Sequence, residues 1–184
     1  MMTKEIEFNS FPKIARLSRD CVVTEKIDGT NASVYIGEDG EFLTASRKRW
    51  ITPDNDNYGF ARWAYENKEE LVKLGVGHHF GEWWGQGIQR RYGIDEKRFS
   101  LFNSGRWNDE TLPECCSVVP ILYEGIFDTK VIEGAIRLLV EGGSIVAPGF
   151  MQPEGIVIWH TPSRTLYKKT IVGDEKPKGY KETK

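Results

Sequence analysis

Residues 22–35, VVTEKIDGTNASVY, constrain the possible fold more than any other stretch of the chain. The opening valines and threonine favour a strand, and residues 32–36 (ASVYI) favour a second strand with partial alternation. Between them, Asp28 and Gly29 have the chemistry of a tight turn. The pattern therefore predicts two strands joined by a short turn, with Lys26 at the end of the first, apolar strand.

Two helices and several further strands are predicted in the rest of the chain. Apolar spacing predicts a helix over 54–75 that Gly75 ends, and a second helix over 128–143 with Asp128 as its N-cap. The further predicted strands are 41–45, 78–85, 97–107, 116–125, 154–160 and 164–172, the last two forming a closing hairpin. Many strands without regular βαβ alternation favour an α+β fold built on antiparallel sheets.

Composition limits the class of protein. The chain has 184 residues, 39% hydrophobic and 28% charged, which suits one soluble domain, and its net charge of −2 gives no global basic field for nucleic acid. Its three cysteines, two of them adjacent, are an odd number and do not form a disulfide framework. No stretch has the length and apolarity of a membrane span or a signal core. We therefore expect an intracellular, cytoplasmic protein with one domain, residues 1–173, and a flexible basic tail, residues 174–184.

Lys26 has two interpretations. An exposed lysine beside a hairpin turn would be a solvated side chain, and the short Lys-x-Asp-Gly pattern alone favours that interpretation. A lysine at a buried strand end, with other cations nearby, would have a lowered pKa and could act as a nucleophile. In that case Gly29, which lacks a Cβ, would let the turn approach a phosphate closely.

Later segments place further charged residues on or beside predicted strands. Arg47 ends a strand in ASRKR, and Glu82 lies beside a glycine in FGEWWG, where a carboxylate could accept a ribose hydroxyl. Glu154 precedes the apolar strand of PEGIVIW, a position that fits a metal or a lysine partner. Lys168 and Lys169 are neighbours on one strand, so one of them must face inward towards an anion.

The order of these segments resembles the covalent nucleotidyltransferase superfamily of ATP-dependent ligases and capping enzymes. The matching segments, within residues 22–170, are EKIDGTN, SRKR, FGEW, FSLFN, PEGIVIW and YKK. The segment TEKIDGTNASV and the aromatic strand RFSLFN are most similar to those of the RNA ligase family. The resemblance implies an adenylyltransferase domain of antiparallel sheets flanked by helices, with the nucleotide pocket between the sheets. We expect no C-terminal accessory domain.

The resemblance also implies a reaction. Lys26 would attack the α-phosphorus of ATP, with Mg²⁺ or Mn²⁺ as the divalent metal, and form lysyl-AMP. The AMP would pass to a nucleic-acid 5′-phosphate, and a 3′-hydroxyl would then displace it and seal the strand. The partners would be nicked or broken strand ends, with RNA favoured over DNA, and a partner protein could supply the missing domain.

Roles for the other site residues follow from the same resemblance. Arg47 would hold a phosphate or the ribose, Glu82 would bind the ribose hydroxyls, and Phe102 would stack on adenine. Glu154 would help to place the metal ion, and Lys168 would contact the α-phosphate. The other residues expected to bind the nucleotide are Glu25, Ile27 and Lys169.

Two departures and two alternative functions stay open. Asn103 stands where the family often has an acidic residue, and the two lysines of LYKKT are adjacent rather than separated by one residue. A GTP-using guanylyltransferase of the capping type is one alternative, which labelling with ATP or GTP would separate. A degenerate nucleic-acid-binding module is the other, although binding alone would not require Lys26. We expect structural roles for His78-His79 and Cys115-Cys116, since no His/Cys spacing matches a zinc site.

Overall fold

The structure, a computed structural model, describes residues 7–107 and 110–175. The described strands are β1 Asp20–Lys26, β2 Thr30–Ile36, β3 Phe42–Ser46, β4 Trp50–Ile51, β5 Gly77–Gly85, β6 Lys97–Leu101, β7 Cys116–Val118, β8 Ile121–Ile126, β9 Gly155–His160 and β10 Thr165–Thr170. The described helices are α1 Phe60–Glu66, α2 Lys68–Leu71 and α3 Thr129–Gly142, with a 3-10 turn at Val72–Leu74. The predicted α+β class is confirmed. From residue 176 onward, the predicted basic tail lies outside the described residues.

The first sheet has four strands in the order β10-β9-β1-β8, and all its pairs are antiparallel. Alternate residues of β1 and β9 face α3, so Val23 and Ile156 pack against Leu139 in one apolar cluster. Asp128 caps α3, because its side chain accepts a hydrogen bond from the backbone N–H of Lys130 at 2.7 Å. The cap and the closing β9–β10 hairpin are where the sequence predicts them.

The second sheet has six strands in the order β4-β3-β2-β5-β6-β7, antiparallel except for the parallel pair β6–β7. One of its faces packs on α1 and α2, where Val34, Phe60, Leu71, Trp83 and Phe99 are fully buried. Its opposite face lines a cleft between the two sheets. The other side of this cleft is the face of the first sheet that does not pack on α3, and residues of both sheets line the space.

The turn at Asp28-Gly29 carries the chain from one sheet to the other. β1 pairs with β8 and β9, whereas β2 pairs with β3 and β5, so the two strands do not form a hairpin with each other. An ordinary hairpin turn is therefore wrong for this stretch. The crossing places the end of β1 at one wall of the cleft and the start of β2 at the other.

Three other elements differ from the prediction: two are shorter, and one is divided. The helix predicted over 54–75 begins only at Phe60 and is interrupted at Asn67, although Gly75 does end it. The strand predicted over 97–107 ends at Leu101. The stretch 116–125 is two strands in different sheets, because the chain changes sheet at Pro120. Proline has no N–H to donate to a neighbouring strand. Its carbonyl accepts a hydrogen bond from the backbone N–H of Glu25.

No helix in the described ranges has the length and apolarity needed to cross a membrane.

Gly29 is expected to tolerate no side chain. A Cβ there would overlap the carbonyl oxygen of Trp83 and lie 2.7 Å from the Cβ of Trp84. Because backbone atoms cannot rotate aside, we expect Gly29→Ala to lower the free energy of unfolding by about 1–3 kcal/mol.

Urea unfolding measures this change, and Gly134→Ala is the control. Gly134 lies in α3 with open space around its Cβ position, so alanine there is expected to be neutral or to stabilise by about 0.5–1 kcal/mol. Equal effects of the two substitutions would contradict the close approach at Gly29.

Candidate active site

Lys26 lies beside Glu154 at the end of β1. Its Nζ is 2.6 Å from Glu154 Oε2, and the two side chains are 23% and 11% exposed. These residues are 128 positions apart. They meet because β1 and β9 are antiparallel and Lys26 is paired with Gly155, directly after Glu154. Lys26 is therefore a half-buried, ion-paired lysine rather than a solvated one.

A cavity of about 250 Å³ opens beside this pair between the two sheets. Seven of the nine residues that the sequence predicts for the site line it: Glu25, Lys26, Ile27, Arg47, Glu82, Phe102 and Lys168. Thr24, Asn31, Val119 and Val157 complete the lining. Of the two predicted residues that do not line it, Glu154 is bonded to Lys26. The other is Lys169.

The register of β10 separates the two adjacent lysines. Lys168 is paired with Val157, which lines the same cavity, whereas Lys169 is paired with the fully buried Ile156 of the α3-facing core. The Nζ of Lys169 lies 3.4 Å from Asp174 on that other side. The structure thus brings Lys168 to the cavity and Lys169 away from it.

Glu25 lines the cavity, but its carboxylate is engaged elsewhere. It is 1% exposed and accepts hydrogen bonds from Ser144 Oγ at 2.6 Å and from the backbone N–H groups of Ile145 and Val146 at 2.8 and 3.0 Å. Three donors satisfy the buried charge. The side chain therefore anchors the loop after α3, a contact across about 120 residues that local patterns do not reveal.

Glu82 stands on β5, at the opposite wall from Lys168. Its carboxylate accepts from Gly29 N–H at 2.9 Å and from Asn31 Nδ2 at 3.1 Å, which ties the crossing turn to the second sheet. Burial raises the pKa of Glu82 to about 7, although the Gly29 N–H and the Lys26 ammonium act in the opposite direction. The site thus holds a carboxyl group that titrates near neutral pH.

The turn at Asp28-Gly29 is also held by residues of a distant loop. Asp28 N–H donates to the hydroxyl of Tyr92 at 2.7 Å, and Arg90 forms an ion pair with Asp28 at 3.0 Å. Arg90 also donates to the carbonyl of Gln152 at 2.9 Å, two residues before Glu154. The sequence gives no signal for these contacts, since Arg90 and Tyr92 lie in an irregular loop more than 60 residues away.

Comparison with known proteins decides the family. A model of the RNA ligase family matches residues 19–171, which is most of the chain. The chain belongs to the RNA ligase family. The match includes the crossing turn, both walls of the cavity and the Lys26–Glu154 pair. No curated protein resembles the sequence closely enough to count as a match.

Solved structures of RNA ligase share the fold. Point mutants of Naegleria gruberi RNA ligase, one without ligand and one with ATP and Mn, each match at 21% identity and a TM-score of 0.62, over 83% of this chain and 50% of theirs. Another mutant, with AMP and Mn, matches over 84% and 50%, with the same identity and TM-score. The chain thus spans about half the length of these proteins, and the likeness confirms the antiparallel two-sheet fold expected of an RNA ligase nucleotidyltransferase domain.

The raised pKa of Glu82 predicts a pH-dependent loss of stability. The pKa is about 7 in the folded protein against an ordinary 4.5, so the folded state favours the protonated form. This contribution is complete below about pH 4.5 and is lost as the pH rises through about 7. Glu82→Gln keeps the shape without the charge, so we expect wild type to lose on the order of 2 kcal/mol relative to Glu82→Gln between about pH 5 and pH 8.

Urea unfolding of both proteins at the two pH values measures this difference. In the difference between the two proteins, the effects of all other titrating groups on the free energy of unfolding cancel, provided that the substitution does not change those groups. Parallel pH profiles for wild type and Glu82→Gln would show that Glu82 has an ordinary pKa.

Proposed function

We propose that this chain is the nucleotidyl-transfer unit of an ATP-dependent RNA ligase and that Lys26 is its nucleophile. One observation carries the proposal: the half-buried Lys26 amine, paired with Glu154, opens on a cavity that Arg47 and Lys168 also line. A nucleophilic amine and two further cations beside one cavity suit a triphosphate better than a neutral ligand. Family membership and the ATP complex of the Naegleria gruberi ligase support ATP as the nucleotide.

The first step requires a neutral amine at Lys26. Glu154 Oε2, at 2.6 Å from Nζ, is positioned to receive the ammonium proton. The free electron pair of Nζ then forms a bond to the α-phosphorus of ATP, and the bond from that phosphorus to the bridging oxygen breaks. Pyrophosphate leaves with the electron pair, the second proton of the attacking amine passes to solvent, and Lys26 carries AMP as a phosphoramidate.

The other residues of the cavity act by charge and position. Lys168 and Arg47 stabilise the negative charge that develops on the phosphate oxygens during the transfer. Glu82 accepts a hydrogen bond from a ribose hydroxyl. Phe102 stacks on the base, since it lies beside the cavity and is 43% exposed. Ile27 and Val157 add apolar contacts on the opposite wall.

The residues present fit a divalent cation only together with the nucleotide. The described part of the chain contains no group of three or more His, Cys, Asp or Glu residues arranged to hold a metal. Mg²⁺ commonly binds through one or two carboxylates and substrate phosphates, so Glu154 is the residue that would help to hold it. When bound, the ion neutralises phosphate charge. The complexes of the Naegleria gruberi ligase with Mn support the same metal class.

Two later transfers complete the reaction. An oxygen of a strand's 5′-phosphate attacks the phosphorus of lysyl-AMP, the N–P bond breaks, and Lys26 Nζ regains a proton. A 3′-hydroxyl then loses its proton to solvent and attacks the phosphorus of the 5′-phosphate. The phosphodiester bond forms, the phosphoanhydride bond to AMP breaks, and AMP leaves. RNA ends are the proposed substrate because the chain belongs to the RNA ligase family.

Incubation with α-labelled ATP or GTP tests the proposal. We expect ATP with Mg²⁺ to leave acid-labile label on the wild-type chain, and Lys26→Ala to remove it, because alanine has no nucleophile. Denaturing gel electrophoresis of the labelled protein is the measurement. Labelling by GTP but not by ATP would contradict the proposed ligase function and indicate a guanylyltransferase. Full labelling of Lys26→Ala would exclude Lys26 as the nucleophile.

The two adjacent lysines provide a matched pair of variants. Lys168→Ala removes a cation from the cavity, so we expect self-adenylylation to slow by about 30- to 1000-fold. Lys169→Ala removes a half-exposed cation on the opposite face, and we expect a rate within about threefold of wild type. Rates of AMP labelling, with circular dichroism as a check of folding, measure both. Equal rates for the two variants, or the reverse order, would contradict the assignment of Lys168 to the α-phosphate.

A further inference from the structure

A row of aromatic side chains crosses the cleft face of the six-stranded sheet. His78 and Phe80 stand on β5 opposite Tyr35 and Ser33 of β2, which places all four side chains on one face. Trp50 of β4 is paired with Ala45 on the same face, and Phe102 follows β6 directly. The row therefore runs from the sheet edge at Trp50 to the residue proposed to stack on adenine.

The rings are close together and open to solvent. Trp50 and His78 are stacked, with centroids 5.7 Å apart and an interplanar angle of 21°, and His78 lies 4.1 Å from Phe80. Tyr35 packs edge-on against Trp50 and His78. Trp50 and Phe80 are 53% and 55% exposed. Large rings on a sheet face usually pack into a core, so a solvent-facing row suits a ligand with flat faces.

The row borders a cluster of cations. Arg47, Lys48 and Arg49 directly precede Trp50, and none of the three forms an ion pair with a carboxylate in residues 7–107 or 110–175. Among the described residues, Arg49 donates hydrogen bonds only to backbone carbonyls, at 3.1–3.4 Å. The positive charge beside the rings is therefore free to meet an anionic partner.

The same face is continuous with the proposed nucleotide cavity. A larger cavity of about 750 Å³ is lined by His78, Phe80 and Trp107, and by Trp159 and Leu166 of the opposite sheet. Arg47 and Phe102 line this cavity and the smaller one beside Lys26. A ligand on the aromatic row would thus extend towards the reacting lysine.

We infer that this row binds unpaired bases of a nucleic-acid strand whose end lies at Lys26, so that the chain prefers single-stranded or unpaired ends to continuous duplex. The inference rests on the proposed function for the position of the strand end. Base faces are available for stacking on aromatic rings only when the strand is unpaired, since a duplex buries them. The neighbouring cations would contact the strand's phosphates.

Fluorescence anisotropy with the full chain tests the inference. The probes are a labelled single-stranded RNA of about twelve nucleotides and the same strand in a blunt duplex, at low salt and without ATP. We expect tighter binding of the single strand. Trp50→Ala and Phe80→Ala are each expected to weaken that binding by about tenfold, whereas Trp50→Phe, which keeps a ring, recovers most of it.

Tyr167→Ala is the matched control. Tyr167 is 51% exposed but neighbours Lys168 on β10, so it points away from the cleft, and its loss is expected to leave strand binding as in wild type. Thermal melting verifies that each variant is folded. Equal affinity for duplex and single strand, no binding of either, or equal effects of Phe80→Ala and Tyr167→Ala would overturn the inference. If the proposed function is wrong, this is seen separately in the labelling experiment, where ATP would leave no AMP on the chain.

Discussion

The close approach of Gly29 to β5 is the constraint on which the site depends. The chain leaves one sheet after Lys26 and enters the other at Thr30, and a side chain at Gly29 would overlap Trp83. The Gly29 N–H donates to Glu82, so the same short turn joins the two walls of the cavity. The sequence predicts that Gly29 lets the turn approach a phosphate. The structure shows a further reason for glycine at this position, which is the close approach of the backbone of the second sheet.

Electrostatics at the cavity balances burial against pairing. Removing one member of the Lys26–Glu154 pair would leave a partly buried charge without its partner, which is costly in a low-dielectric setting. Glu82 responds to burial differently, because its pKa rises until the carboxyl group is half protonated near neutral pH. A bound ribose hydroxyl would compensate part of this desolvation. The cavity therefore keeps a buried carboxyl group at a cost in stability.

The sequence predicts the site better than it predicts the path of the chain. Seven predicted residues line one cavity. Five of them lie at or next to the ends of strands, whereas Glu82 and Lys168 lie within β5 and β10 and reach the cavity because they face the cleft. Alternation shows that one of Lys168 and Lys169 faces inward, but only the register with β9 decides that it is Lys168. The contacts of Glu25 with residues 144–146 were not predictable, since they join positions about 120 residues apart without a local pattern. The sheet change at Pro120 was missed because the apolar run around it looks like one strand.

Peptide mapping of the chain after incubation with ATP and Mg²⁺ tests the central claim most directly. Tandem mass spectrometry of a digest under mildly alkaline conditions, where a phosphoramidate survives, locates the bound nucleotide on a single residue. The structure predicts one adenylyl group on the peptide that contains Lys26, and none on the peptides that contain Lys168 or Lys169. An adduct on another lysine, or full recovery of unmodified Lys26 peptide from active protein, would contradict the assignment of Lys26 as the nucleophile.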